Sequence, residues 1–284
     1  MKKKTPNTKV ILFNAAAVMI GVTAVAAAVR SFVFSPTAAP CSDRYTSSTT
    51  FAVERAGVVL TAADLQSGLG GKDVGVIDSL SIAKVRGAPA AIAMTVSLPK
   101  GSASPHASAS VRGGMSFPWE TRLLQGKTAA CLSYSVLVPA DFPFGRGGVL
   151  PGIRGADAEG RATDGFAARM AWRHGGGGGA TLRTTSDGET RSTRADREGF
   201  TFPQGRWVKL EQEVVLNTPK QADGILRVWA DGRLAVDRTD MTYRMRPDVT
   251  LSGVAADVFF GTEEGGGLAP ADTQVSLTPF EMRW

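Results

Sequence analysis

Histidine, cysteine and tyrosine are scarce in this chain of 284 residues, which has two, two and three of them. Two cysteines, Cys41 and Cys131, and two distant histidines, His106 and His174, are too few for a Cys/His zinc cluster. No metal and no cofactor is therefore expected. There is no G-x-S-x-G elbow and no phosphate-binding glycine loop with its lysine. Long helices with a 3.6-residue apolar period are missing too, and so are internal repeats. With 33 glycines and 15 prolines, the chain is expected to be built from short strands and turns.

A charge excess of one sign is missing from most of the chain. The formal net charge is +6, but residues 1–40 carry Lys2, Lys3, Lys4, Lys9 and Arg30 and no acidic residue. The remainder holds 32 − 5 = 27 basic against 26 acidic residues, about +1. Such balance lacks the basic footprint of nonspecific nucleic-acid binding, so no nucleic-acid partner is expected.

The charge sits beside the one long apolar run. Val10 to Val29 is 20 residues without a charge, preceded by the lysines. The alanines at 24 and 26–28 offer a signal-peptide cleavage site, and the same run is long enough to span a bilayer once. Residues 1–30 are thus a cleaved signal or a single-pass anchor. Either way the rest of the chain is placed outside the cytoplasm: periplasmic, secreted, or held on a membrane. In that oxidising setting Cys41 and Cys131 are expected to form a disulfide, with lipidation of Cys41 as the alternative. Residues 31–45 read as a linker, and 46–284 as one monomeric domain.

Within that domain the apolar pattern is that of strands. In the run 166–173, Phe166, Ala168, Met170 and Trp172 share one face, and Ala167, Arg169, Ala171 and Arg173 the other. In 207–216, Val208, Leu210, Val214 and Leu216 point inward, and Lys209, Glu211 and Glu213 outward. Asp231-Gly232 marks a hairpin between 224–230 and 233–237. Ile92–Leu98, Val254–Phe260 and Gln274–Trp284 read as further strands, Thr61 as the cap of a short helix, and 101–114 as an exposed loop. The Gly/Pro-rich stretch 144–152 and the run Gly175–Gly179 read as loops. The expected fold class is all-β, a jelly-roll-like sandwich.

Five phrases in order, FGRGGVLPG (144–152), GFAARMAWR (165–173), GRWVKLEQEVVLN (205–217), DGILRVWADG (223–232) and DVFFG (257–261), resemble the polysaccharide lyases of family 14 from about Ser133 to Trp284. The resemblance implies a β-jelly roll whose concave sheet holds an acidic polysaccharide. It also implies β-elimination on a uronate polymer such as alginate or glucuronan. That reaction needs a donor on the C5 carboxylate, a base for the C5 proton and an acid for the departing glycosidic oxygen.

Arg169 matches the family's carboxylate-binding arginine, and a guanidinium grips a carboxylate with two parallel bonds. Arg146, Arg154, Arg173 and Arg183 extend the expected binding strip. Where the family carries a lysine in the phrase KLPG, this chain has Val149, and the family's tyrosine pair has no counterpart in register. His174 and Tyr243 are the expected substitutes for base and acid, beside Arg169. A silent glycan-binding protein of the cell envelope, and a structural envelope protein without a glycan ligand, are the alternatives.

Overall fold

Period-two alternation builds two sheets that bury their apolar faces against each other. The structure, a computed structural model, describes residues 38–108, 111–157, 164–195, 199–262 and 266–284. The segments 1–30 and 31–37, expected to hold the signal or anchor and the start of the linker, lie outside the described residues. Among the described residues no helix is long and apolar enough to cross a membrane.

The first sheet runs in the order Arg233–Met241, Gly224–Ala230, Val208–Val215, Ala129–Leu137, Thr273–Leu277, Ala93–Leu98 and Leu80–Ala83. The second runs Glu189–Arg194, Gly177–Ser186, Gly165–Arg173, Gly147–Ala156, Thr250–Ala255 and Pro118–Glu120. Neighbours pair antiparallel in both. The all-β architecture is therefore a two-layer sandwich. Val208, Leu210 and Val214 of one sheet meet Ala168, Met170 and Trp172 of the other in the core. Asp231 and Gly232 turn the hairpin with φ of 48° and 77°, the left-handed pair that a two-residue turn demands. Thr61 caps the helix Ala62–Leu69 through a reciprocal box with Asp64.

Three expectations change. The stretch 144–152 is largely strand, not loop, because Gly147–Ala156 pairs along its length with Gly165–Arg173. Its glycines leave room for neighbours. A Cβ on Gly148 would lie 2.1 Å from the Trp172 ring, and one on Gly152 would lie 2.0 Å from the Ala168 carbonyl oxygen. The run Gly175–Gly179 is likewise a tight turn leading directly into the strand Gly177–Ser186. The loop 101–114 is only partly exposed, with Ser102, Ala103 and Ser104 buried.

A bulge between Leu150 and Gly152 interrupts the ladder beside Arg169. The opposite sheet satisfies the backbone groups there. Gln212, fully buried, accepts from Ile153 N at 2.8 Å and donates to the Ala168 carbonyl at 2.6 Å. Tyr134 donates to the Pro151 carbonyl at 2.9 Å. Buried amides and hydroxyls left without such partners are destabilising, so these side chains hold the bulge in one shape.

The folded unit also begins earlier than residue 46. Cys41 is fully buried and disulfide-bonded to Cys131, with Cα atoms 5.7 Å apart. Ser42 N donates to Glu211, and Arg44 and the Tyr45 hydroxyl both donate to Glu213. Glu211 and Glu213, read as outward-facing, do lie on the outer face of the first sheet, but this strap covers them and leaves them 2% and 1% exposed.

Candidate functional site

The outer face of the second sheet is where the arginines gather. Arg169 projects from it by alternation, opposite the core face that holds Ala168 and Met170. Its side chain is only 11% exposed, and its Nε donates to Asp257 Oδ2 in a very short ion pair. Asp257 is buried between the strands Thr250–Ala255 and Phe259–Phe260. Its second oxygen accepts from Ser116 Oγ at 2.6 Å, and Ser116 Oγ lies 2.9 Å from His106 Nε2. The carboxylate thus fixes the guanidinium from one side and the hydroxyl from the other.

Two clefts meet at this point. One, of about 280 Å³, is lined by Lys72, His106, Ser116, Arg154, Asp164, Arg169, Arg183 and Asp257. The other, of about 150 Å³, is lined by Arg146, Val149, Arg169, Arg173, Thr181 and Arg183. Arg169 and Arg183 border both, so the clefts form one cationic groove along the sheet. At one end Arg154 and Lys72 share Glu120, at 2.6 and 3.0 Å. Burial raises the pKa of that carboxyl, but the two cations outweigh it and hold it below its ordinary value. Arg173 turns back onto its own hairpin, donating to the Ala180 carbonyl and Thr181 Oγ1 at 3.0 and 3.2 Å. Arg146 is exposed at the rim.

The groove gathers Arg146, Arg154, Arg169, Arg173 and Arg183 but not the two expected substitutes. His174 is exposed on the tight turn, its Nδ1 2.9 Å from the Gly145 carbonyl, and lines neither cleft. Tyr243 is 2% exposed and packs on Phe166, which faces the core, with ring centroids 5.0 Å apart. Its hydroxyl donates to the Ile225 carbonyl, and burial pushes its pKa well above the ordinary phenol value. Tyr243 is a core residue on the far side of the sheet from Arg169. Val149 pairs with Ala171, lines the smaller cleft and is 8% exposed, so its methyls form part of the groove floor.

Lys72, Ser116 and Asp257 were not among the site residues singled out from sequence, and His106 was given little weight there as a histidine of the Ser/Ala loop. A signal existed for one of them. Asp257 interrupts the apolar run Val254–Phe260, and a carboxylate in such a run needs a buried partner.

A further cavity, of about 710 Å³, adjoins the first cleft at Asp164 and Thr185 and is lined by Arg191, Arg238, Tyr243, Arg244 and Arg246. Three of its cations face acids, Arg191 with Glu189, Arg238 with Asp240, and Arg246 with Asp164 and Asp248, while Arg244 donates to the carbonyls of Asn217, Pro247 and Val249. Charge balance of that kind does not draw a polyanion. The smaller cleft, by contrast, has four arginines and no acidic residue in its lining, and the arginine groove is the candidate site.

An antiparallel sandwich with a cationic groove across one sheet defines a class of proteins suited to holding an acidic chain. Within that class the chain belongs to the polysaccharide lyase 14 family, whose family model matches residues 88–278. No curated protein is matched by the sequence. Among solved structures, the alginate lyase vAL-1 from Chlorella virus is similar at TM-score 0.65 and 20% identity, over 83% of this chain and 98% of that one. The marine alginate lyase from Aplysia kurodai is similar at 0.60 and 22%, over 84% and 98%. An endo-β-1,4-glucuronan lyase from the fungus Trichoderma reesei follows at 0.50 and 10%, over 72% and 86%. At these identities the likeness is one of fold.

Proposed function

We propose that this protein is an exported enzyme that binds an acidic uronate polysaccharide along the arginine groove and cleaves it by β-elimination. The observation that carries the reading is Arg169, held by Asp257 where the two clefts meet and flanked by Arg183. A guanidinium fixed in this way is preorganised for a uronate carboxylate, and charge stabilisation at C5 is the largest demand of the reaction. The family match and the structurally similar alginate and glucuronan lyases support the same substrate class. Residues 1–30 serve export, as a cleaved signal or a retained anchor, and 46–284 with the docked strap form the catalytic body.

A second reading is favoured by Val149, because an isopropyl group moves no proton. On that reading the groove binds the polymer without cutting it. Ultraviolet absorbance from unsaturated chain ends, during incubation with alginate blocks, glucuronan and pectate, separates the two. New absorbance that is lost in Arg169→Gln supports the lyase. Co-sedimentation without new absorbance supports the silent binder, and neither signal overturns both.

A further inference from the structure

Three side chains, His106 and Ser116 from one segment and Asp257 from another 141 residues on, converge behind Arg169. Asp257, ion-paired to Arg169, offers only acceptor oxygens, so the 2.6 Å contact must be a Ser116 hydroxyl donating to Oδ1. With its proton committed there, Ser116 Oγ accepts from its other neighbour, and His106 Nε2 at 2.9 Å carries the N–H. The tautomer follows: Nδ1 holds the ring's lone pair. This order is not that of a hydrolase triad, in which histidine takes the serine proton. Here serine and aspartate orient the histidine. The turn carrying His106 is held by Ser104, whose Oγ accepts from His106 N at 3.3 Å and whose carbonyl accepts from Ala107 N at 2.9 Å. The imidazole itself is exposed and borders the cleft that Arg169 and Arg183 also line.

We infer that His106 is the catalytic base and acid of this groove, and that it restricts the substrate to polymers of mannuronate or glucuronate. The inference rests on the lyase reading above. With the uronate carboxylate on Arg169, His106 Nδ1 takes the C5 proton. The released electron pair forms the C4=C5 double bond as the C4–O4 bond breaks. The imidazolium then returns the same proton to O4, so the step balances without another reactant. One group can serve both atoms only if the C5 hydrogen and O4 lie on the same side of the ring. They do so in D-mannuronate and D-glucuronate. In L-guluronate and D-galacturonate they lie on opposite sides.

The test uses the full chain with polymannuronate, glucuronan, polyguluronate and pectate, reading unsaturated ends by absorbance and affinity by co-sedimentation. Wild type is expected to cleave the first two at least ~10-fold faster than the others. His106→Gln and His106→Asn should lose ~10²–10⁴-fold in turnover, the usual contribution of a general acid–base, with affinity unchanged. Turnover retained in both variants overturns the assignment of His106, and equal cleavage of guluronate or galacturonate polymers overturns the single-group mechanism. Binding by wild type without any turnover overturns the inference while leaving the groove as a binding site. Absence of both binding and turnover overturns the reading beneath it.

Discussion

Asp257 and Arg169 are joined across the second sheet, the carboxylate 2% exposed and the guanidinium 11%. Removing either member of such a pair leaves a desolvated charge, so neither can be lost without cost to the fold. Asp257→Ala is expected to lower unfolding stability by about 3 kcal/mol, at the lower end for breaking a buried pair. Asp257→Asn keeps the shape and should lower affinity for polymannuronate about tenfold, or about 1.4 kcal/mol, as Arg169 loses its fixed direction. Denaturant melts and co-sedimentation measure the two effects. Unchanged affinity in Asp257→Asn would mean that Arg169 is not the carboxylate partner.

Val149 offers the reverse experiment. It forms part of the groove floor between Ala171 and Phe259. In Val149→Lys the stem can lie along that apolar floor while the ammonium reaches the groove, at an overpacking cost of about 1–2 kcal/mol. The variant is expected to bind polymannuronate several-fold more tightly than wild type at low salt, with the gain shrinking as ionic strength rises. A salt-independent affinity would place the polymer away from this floor.

The disulfide should act as a clamp on the strap. Cys41 and Cys131 are 90 residues apart in sequence, so closing that loop restricts the unfolded chain and typically contributes about 2–4 kcal/mol. In Cys41→Ser/Cys131→Ser the denaturation midpoint should fall accordingly. Trypsin should cut after Arg44 before the sandwich opens, because Ser42, Arg44 and Tyr45 then depend on Glu211 and Glu213 alone. A single cooperative transition with no early cut would show that the carboxylates suffice.

All three tyrosines have raised pKa values. For Tyr134 and Tyr243 the cause is mainly burial; for Tyr45 it is burial, then the bond to Glu213. A group whose folded pKa lies above its unfolded value binds its proton more tightly when folded. Its contribution is complete below the unfolded value, 10.0, and declines as pH rises above it. Unfolding stability should therefore be level between pH 8 and 9 and fall steeply beyond 10. In Tyr45→Phe that alkaline slope should be shallower. A level profile to pH 11 would mean that the tyrosines ionise without unfolding.

Much of the fold was legible because alternation reports directly on burial: Phe166 to Arg173 reads as the strand it forms, with Arg169 on the correct face. Glycine misled the reading of 144–152 and 175–179. It marks turns, but here it also makes room for Trp172, Phe166 and Phe200 to lie across neighbouring strands. Glu211 and Glu213 took the expected face and were buried all the same, because a segment from the other end of the chain lies over them. Asp257 left a signal of its own, but its grouping with Ser116 and His106 was invisible for a similar reason. His106 and Ser116 are 10 residues apart, and Ser116 and Asp257 are 141 apart, so only the folded sandwich brings them together.

The strap and the groove lie on the outer faces of different sheets. Ser42, Arg44 and Tyr45 hold Glu211 and Glu213 on the back of the first sheet, while Arg169 and Arg183 look out from the second. The sheet under the strap and the sheet that bears the groove turn their outer faces in opposite directions, so a ligand lying along Arg169 and Arg183 would meet none of Ser42, Arg44 and Tyr45.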